Sequence, residues 1–310
     1  MPRDRTDVNV DGRILSISNL DKVLYPKVGF TKGQLIDYYA RIAAVMLPHL
    51  EDRAVTFRRY PDGVDGTSFF EKHAPSHTPP WVRTTRVPRS SGARGGRAKA
   101  DDEIEYAVID DRATLLWAAN LAAIEFHVPL WAVGDGAENP ARPDLLVFDL
   151  DPGPGTSIVE CCTVAGWLRS CLEAEGLGPV LAKTSGSKGL QLYIPVTDGI
   201  NWPDERERAL RIASAVERDH PDRVVTNMRR VLRQDKVLID WSQNHPMKTT
   251  VGVYSLRAQA EPTASTPVSW DEVEQCATHT DPGRLRFSAD DVLRRVEANG
   301  DLFAPLLAKP

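Results

Sequence analysis

The chain has 310 residues, of which 42% are hydrophobic and 26% charged, with a formal net charge of −5 at pH 7. That balance is ordinary for a water-soluble globular protein and leaves room for one large domain or two intimate ones. No uninterrupted apolar stretch approaches the ~20 residues that span a bilayer, and the polar start Met1–Asp7 lacks the apolar core of a secretion signal, so the expected location is cytoplasmic. The net charge excludes a uniformly basic surface, so any nucleic-acid contact must rest on local patches.

In chain order, Arg13–Ile17 reads as a strand, and Thr31 caps a helix that runs to about Leu50 with apolar residues at helical spacing. Ala54–Tyr60 reads as a strand before the turn Pro61-Asp62-Gly63. The stretch 89–99, rich in Gly, Ser and Arg, is expected to be a mobile basic loop. A helix is expected over Ala113–Ile124, followed by the apolar strand Leu145–Leu150 and a helix over Thr156–Glu175. That helix carries Cys161, Cys162 and Cys171, which with Cys276 form no Cys-x-x-Cys pair, so neither a zinc site nor structural disulfides are expected. Strands near Val180–Lys183 and Leu190–Pro195 precede a helix with Pro203 in its first turn. The strand Lys236–Trp241 follows, then a Pro/Thr/Ser stretch over Glu261–Val268 that reads as a linker, and two short C-terminal helices. The pattern is α/β (α+β): one compact unit over 1–310, divisible into two lobes.

Three features carry chemistry. Asp149 and Asp151 end an apolar strand and, two positions apart, point to the same face. They can hold a divalent cation such as Mg²⁺ or Mn²⁺ between them, although Asp-x-Asp-Pro-Gly also suits a strand closing in a turn. Asp240 ends a second apolar strand and tilts the balance toward two-metal phosphoryl chemistry. Between them, Thr184-Ser185-Gly186-Ser187-Lys188-Gly189 offers small residues, backbone amides and an ammonium able to wrap a phosphate chain. It lacks the Walker A spacing, and an ordinary hairpin turn would read the same way.

Further candidates are cationic or aromatic. Arg58, Arg59, Phe69, Phe70 and Lys72 interleave cations with rings, a combination that grips phosphates and stacks on bases. Consecutive strand residues face opposite ways, so one of the two phenylalanines is expected in the core, with Phe70 the preferred base platform. Lys22 and Lys32 flank a turn and could converge on one anion. His127, placed just after a helix, could reach nucleotide phosphates.

Taken together, these residues resemble the primase-polymerase domain of bacterial ligase D, a branch of the archaeo-eukaryotic primase superfamily used in non-homologous end joining. The resemblance runs from Asp21-Lys22-Val23-Leu24-Tyr25-Pro26 through Phe69-Phe70-Glu71-Lys72, Val147–Gly153 and Thr184–Gly189 to Asp240-Trp241-Ser242-Gln243-Asn244, Lys248-Thr249-Thr250 and Tyr254-Ser255-Leu256-Arg257. It implies a primase-like catalytic core of mixed and antiparallel sheets flanked by helices. It also implies template-directed addition of ribo- or deoxyribonucleotides to 3′ ends at short gaps or breaks. Asp149, Asp151 and Asp240 would bind two Mn²⁺ or Mg²⁺ ions and an NTP or dNTP would be the substrate. His127, Ser185, Lys188, Gln191, Arg233, Gln243 and Arg257 match nucleotide-contacting or neighbouring positions. Lys22 and Lys32 match the pair that holds the 5′-phosphate beyond a gap; with Phe69 and Phe70 in the resembling Phe-Phe-Glu-Lys run, and Arg58 and Arg59 by their own cation chemistry, these form the expected DNA-binding set.

The chain departs from the family pattern at Gln191, where His is usual, at Val253, where Pro is frequent, and in the longer basic stretch 89–99. Glutamine keeps hydrogen bonding but carries no charge. No Lys-x-Asp-Gly ligase motif is present, so the chain is either a stand-alone enzyme, the reading that the Met1-Pro2 start and the tapering C-terminus favour, or an excised domain; the expectation is a monomer working on gapped or broken 5′-phosphorylated DNA with a separate ATP-dependent DNA ligase, and with Ku. The competing readings are a DNA-end-binding module weakened at Gln191 that recruits a ligase, and a metal-dependent phosphohydrolase.

Overall fold

The fold is that of a computed structural model, which describes residues 5–88, 103–134 and 140–308. The basic stretch 89–99 lies outside the described residues. The N-terminal third contains β1 (Arg5–Val10), β2 (Arg13–Ser18), β3 (Val23–Tyr25), β4 (Phe30–Thr31), helix α1 (Lys32–Met46), β5 (Ala54–Arg59), β6 (Phe69–Glu71) and β7 (Thr84–Pro88). The middle runs through β8 (Glu103–Val108), α2 (Arg112–Asn120), β9 (Ala123–Val128), β10 (Leu145–Pro152), α3 (Ile158–Ala174), β11 (Leu181–Thr184), β12 (Leu190–Pro195) and α4 (Trp202–Asp219). The rest comprises β13 (Val224–Val225), β14 (Val237–Asp240), β15 (Thr250–Val251), β16 (Leu256–Ala258), β17 (Pro262–Ala264), β18 (Pro267–Val268), α5 (Trp270–His279) and α6 (Ala289–Asn299). Helix starts follow the expected chemistry: Thr31 with Gln34, and Ser157 with Glu160, close reciprocal capping boxes.

Two six-stranded sheets organise the molecule, one in the order β13-β14-β10-β12-β11-β18 and the other β15-β9-β5-β8-β7 with β6 paired to β5. Strand alternation decides what each face does. On β10 and β12, Leu146, Phe148, Leu150, Leu190, Leu192 and Ile194 point into a core shared with α3, α4 and α5. The intervening Asp149, Asp151 and Gln191 point to the opposite face. In the second sheet Phe57 and Phe126 point into a core formed with α1, α2 and α6, while Thr56, Arg58, Glu125 and His127 occupy the other face. The two polar faces meet. Tyr193 Oη and Thr250 Oγ1 lie 2.8 Å apart, and Lys183 Nζ donates to the Val251 carbonyl at 3.1 Å.

Three expectations are corrected. The helix predicted to reach Ile124 stops at Asn120, because Ala122 adopts φ +60° and breaks the α path. The residues Ala123–Val128 then form a buried central strand, so His127 sits on β9 rather than after a helix. The Glu261–Val268 stretch is no linker: it supplies β17 and β18, and Thr263, Ala264, Ser265 and Thr266 are buried. Its hydroxyls are satisfied internally, as where Ser265 Oγ donates to the Thr184 carbonyl at 2.9 Å. Finally, neither Phe69 nor Phe70 enters the core; they are 43% and 56% exposed, because β6 is a short strand whose two faces are both open to solvent.

A candidate nucleotide-binding cleft

Cross-strand register assembles the acidic side of the site. Asp149 lies directly opposite Asp240 on β14 and opposite Gln191 on β12, and Gln191 in turn faces Lys183 on β11. One row across four strands therefore reads Asp240, Asp149, Gln191, Lys183, with Asp151 two residues along on the same face. Asn244 locks this arrangement, its side chain accepting from Val147 N–H and donating to the Val147 carbonyl.

Burial makes these charges costly. Asp149 is pushed up to about 7, first by burial and then by the charge of Asp151, with hydrogen bonding from Gln191 opposing. Asp151 is raised by burial and by Asp240. Lys183, fully buried, is lowered to about 7 by burial, while Asp149 acts to keep it charged. Its Nζ donates to Gln191 Oε1 at 2.5 Å and to Ser265 Oγ at 2.7 Å. Because an ammonium only donates, it fixes which end of the Gln191 amide faces it.

The opposite wall is cationic. Glu125 on β9 is 1% exposed and accepts from His127 Nε2 at 2.9 Å and from Ala258 N–H at 3.0 Å. Arg58 and Arg257 stand 3.6 and 3.4 Å from it. Burial raises the Glu125 carboxyl, but the His127 hydrogen bond and the Arg257 charge outweigh it and bring the group to about 2. His127 is lowered by burial despite Glu125, with Arg257 and Arg58 adding to the effect. Phe70 packs edge-on to His127, with centroids 5.4 Å apart, and Arg58 lies between the rings of Tyr60 and Phe70.

These walls enclose a cleft of about 270 Å³ lined by Asp149, Asp151, Gln191, His127, Lys188 and Arg257, among others. The loop between β11 and β12 closes one end. Ser185 Oγ accepts from Ser187 N–H at 3.3 Å and Gly189 N–H at 3.0 Å, and Arg257 donates to the Ser185 carbonyl at 2.7 Å. Any β-carbon at Gly189 would collide with the Leu150 carbonyl, so only glycine lets this loop lie against the Asp151 strand.

The other predicted residues are placed differently. Asp240 does not turn into the cleft: its Oδ1 accepts from Ser242 N–H and Oγ, and its Oδ2 from Gln243 Nε2 at 3.2 Å. Accordingly, among the described residues no three His, Cys, Asp or Glu side chains form a ready-made metal shell. Asp149 Oδ1, in contrast, is buried with no hydrogen-bond partner, as a carboxylate awaiting a cation would be. Gln243 lines the cleft, whereas Arg233 lies outside its lining and donates to the Met228 carbonyl at 2.7 Å.

Arg59 points away from Arg58, bonding Glu71 and the Leu121 carbonyl. Lys22 and Lys32 are brought together by the β3–β4 hairpin, away from the cleft lining. The Lys32 ammonium, buried and lowered to about 8 by burial and by Lys22, donates to the Ser18 carbonyl at 2.6 Å, and Lys22 pairs with Asp62 at 3.0 Å.

Sequence reasoning missed Glu125, Lys183 and Thr56. The first two are single charges inside apolar stretches, the sequence mark of a buried, paired charge. Thr56 sits opposite His127 with a buried, unpartnered hydroxyl.

Comparison with known proteins gives the family of the chain and its fold. Residues 31–303 match the family described as "LigD, primase-polymerase domain". The chain is 40% identical over 290 residues to the multifunctional non-homologous end joining protein LigD of Mycolicibacterium smegmatis, covering 94% of this chain and 36% of that protein. It is 30% identical to the bifunctional LigD of Bacillus subtilis, covering 96% and 44%. The chain thus spans well under half the length of these relatives. Among solved structures it is similar to the polymerase domain of Mycobacterium tuberculosis ligase D in complex with DNA, with a TM-score of 0.86, 39% identity and coverage of 95% and 98%. The chain belongs to the LigD primase-polymerase domain family.

Proposed function

We propose that this protein is a template-directed nucleotidyltransferase that adds ribo- or deoxyribonucleotides to a 3′-hydroxyl at short gaps or breaks in DNA during end-joining repair. The observation that carries this reading is the cleft itself. A buried, unpartnered Asp149 oxygen and Asp151 stand across about 270 Å³ from a Lys188 loop, His127 and Arg257. Anionic ligands for a divalent cation on one wall and donors for phosphate on the other match what a nucleoside triphosphate requires.

Asp149 and Asp151 fit Mg²⁺ or Mn²⁺ by their oxygen chemistry, and Asp240 would complete the set on releasing Ser242 and Gln243. Two such ions, when bound, neutralise triphosphate charge and favour attack by the primer 3′-oxygen. The chain's own residues do the rest. The Ser185–Gly189 loop faces the phosphates, Lys188 and Arg257 balance charge on the departing pyrophosphate, and Gln191 steadies Asp149. Phe70, backed by Arg58, offers a face on which a templating base can stack. Lys22 and Lys32, with Arg59 and Phe69 nearer β6, would hold the 5′-phosphate side of the DNA. Arg233, through its charge beside Asp151, would support the acidic wall. A separate ATP-dependent ligase and Ku are the partners this role calls for, acting on chromosomal DNA in the cytoplasm.

The test is incubation with a gapped, 5′-phosphorylated duplex, nucleotides and Mn²⁺. Primer growth by one or a few templated nucleotides is expected. Retained DNA binding with no extension would overturn the polymerase reading in favour of an end-binding module.

A further inference from the structure

Glu125 is the buried carboxylate of the cationic wall and lies behind the cleft lining, out of reach of a bound nucleotide. It is 1% exposed, yet four groups from three chain segments converge on it. His127 Nε2 reaches Oε2 at 2.9 Å, Ala258 N–H reaches Oε1 at 3.0 Å, Arg257 Nε lies 3.4 Å away and Arg58 Nη1 3.6 Å away. Arg257 holds the phosphate-type loop through the Ser185 carbonyl, and Arg58 holds the exposed Phe70 ring. One carboxylate therefore connects three parts of the site that sequence places far apart: the β9 histidine, the β5 arginine under the aromatic platform, and the arginine that clasps the loop.

The chemistry of the pair fixes more than position. An ionised carboxylate can only accept, so the imidazole must offer its Nε2–H to Glu125. In a neutral ring that commitment leaves Nδ1 bare. Without the carboxylate, two guanidinium groups and an imidazole would share a small space with no counter-charge and would repel one another out of their present positions.

We propose that Glu125 is a positioning residue of the nucleotide site: it commits His127 to the Nε2–H tautomer and sets Arg58 and Arg257 in place before a triphosphate arrives. The proposal rests on the nucleotide-addition reading, and deepens it by naming the group that organises the phosphate-facing wall. Pre-setting donors in this way removes the ordering cost from the binding step, so its loss falls on nucleotide affinity more than on turnover.

Two measurements test it. In wild-type protein labelled with ¹⁵N at histidine, the imidazole resonance that disappears in His127→Asn is expected to report the Nε2–H tautomer at neutral pH. A pure Nδ1–H form or a rapidly averaged mixture there would overturn the proposal, whether or not the protein polymerises. In Glu125→Gln, the KM for nucleotide should rise by ~10-fold or more with kcat within ~3-fold, and the same substitution made in a His127→Asn background should cost markedly less. An equal fall of kcat with unchanged KM, or full additivity of the two substitutions, would overturn it. Wild-type protein that binds no nucleoside triphosphate would instead overturn the polymerase reading, and the imidazole spectrum would still decide the dyad.

Discussion

The two walls of the cleft are built on opposite charge and solve the same problem in mirror fashion. The wall formed by β10, β12 and β14 presents Asp149 and Asp151, and buries beneath them one cation, Lys183. The wall formed by β5, β9 and β16 presents His127 and Arg257, with Arg58 set against Phe70 beside them, and buries one anion, Glu125. They differ in how well the counter-charge succeeds. Glu125 receives two hydrogen bonds and two ion pairs, and stays ionised. Lys183 reaches the aspartates only through Gln191, so the acidic wall remains under-compensated, with Asp149 raised to about 7. The buried counter-charge of the cationic wall is thus well satisfied, whereas the acidic wall keeps a buried Asp149 oxygen without a partner, the atom that the proposed cation would reach.

That difference can be broken experimentally, and the largest effect should come from the acidic wall. Replacing Asp149 and Asp151 by Ala is expected to abolish primer extension while leaving DNA binding within ~3-fold in a gel-shift assay, because these groups serve chemistry rather than the DNA backbone. Loss of both together would show that the pair also holds the DNA.

Next in size is Lys183→Met. Removing a buried ammonium leaves Gln191 Oε1 without its donor and Asp149 without its nearby counter-charge, and should cost ~2–4 kcal/mol in chemical denaturation. A cost below ~1 kcal/mol would mean that Asp149 needs no counter-charge from this side.

The walls should also answer pH in opposite directions. Asp149 has a folded pKa raised from the ordinary 3.8 to about 7, so its contribution to stability of the metal-free protein is fully present below about pH 4 and is lost as pH rises through 7. Glu125 is lowered from 4.5 to about 2, so its contribution is present above about pH 4.5 and is lost as pH falls through 2. Denaturation of Asp149→Asn in the presence of a chelator should therefore lack the decline between pH 4 and 7 that wild type has, and Glu125→Gln should retain it. The same proton competes with metal, so Mn²⁺ affinity should fall by ~10-fold per pH unit below 7.

The smallest expected effect lies away from both walls. Lys22→Ala should weaken binding only to 5′-phosphorylated gaps and reduce the salt slope by ~1. Equal weakening on unphosphorylated ends would remove the 5′-phosphate assignment.

Much of the acidic wall was legible in the sequence because each of its parts is local. A two-residue spacing places Asp149 beside Asp151, an apolar strand ends in Asp240, and a run of small residues marks the loop. The counter-charges were not legible, for the opposite reason. Glu125 between Ile124 and Phe126, and Lys183 between Ala182 and Thr184, look like the solvent-facing positions of half-exposed strands. Only the pairing of β9 with β5, and of β11 with β12, reveals that those faces are covered. The helix boundary at Asn120 failed likewise: Ala113–Ile124 is apolar enough for a helix or a buried strand, and the left-handed residue that separates them is Ala122, a helix former rather than the Gly or Asn that would mark such a turn. The turn of the Asp240 carboxylate onto Ser242 and Gln243 is a short-range cap that the Asp-Trp-Ser-Gln order permits but does not require.

The most direct test of an acidic wall completed by a cation is a crystal structure of the protein with Mn²⁺ and a non-hydrolysable nucleoside triphosphate at pH 7.5, read by the anomalous signal of the metal. The account predicts Mn²⁺ bound by Asp149 and Asp151, with Asp240 released from Ser242, and the triphosphate against the Ser185–Gly189 loop and Arg257. Metal or nucleotide bound elsewhere, with Asp149 Oδ1 still unpartnered, would contradict it.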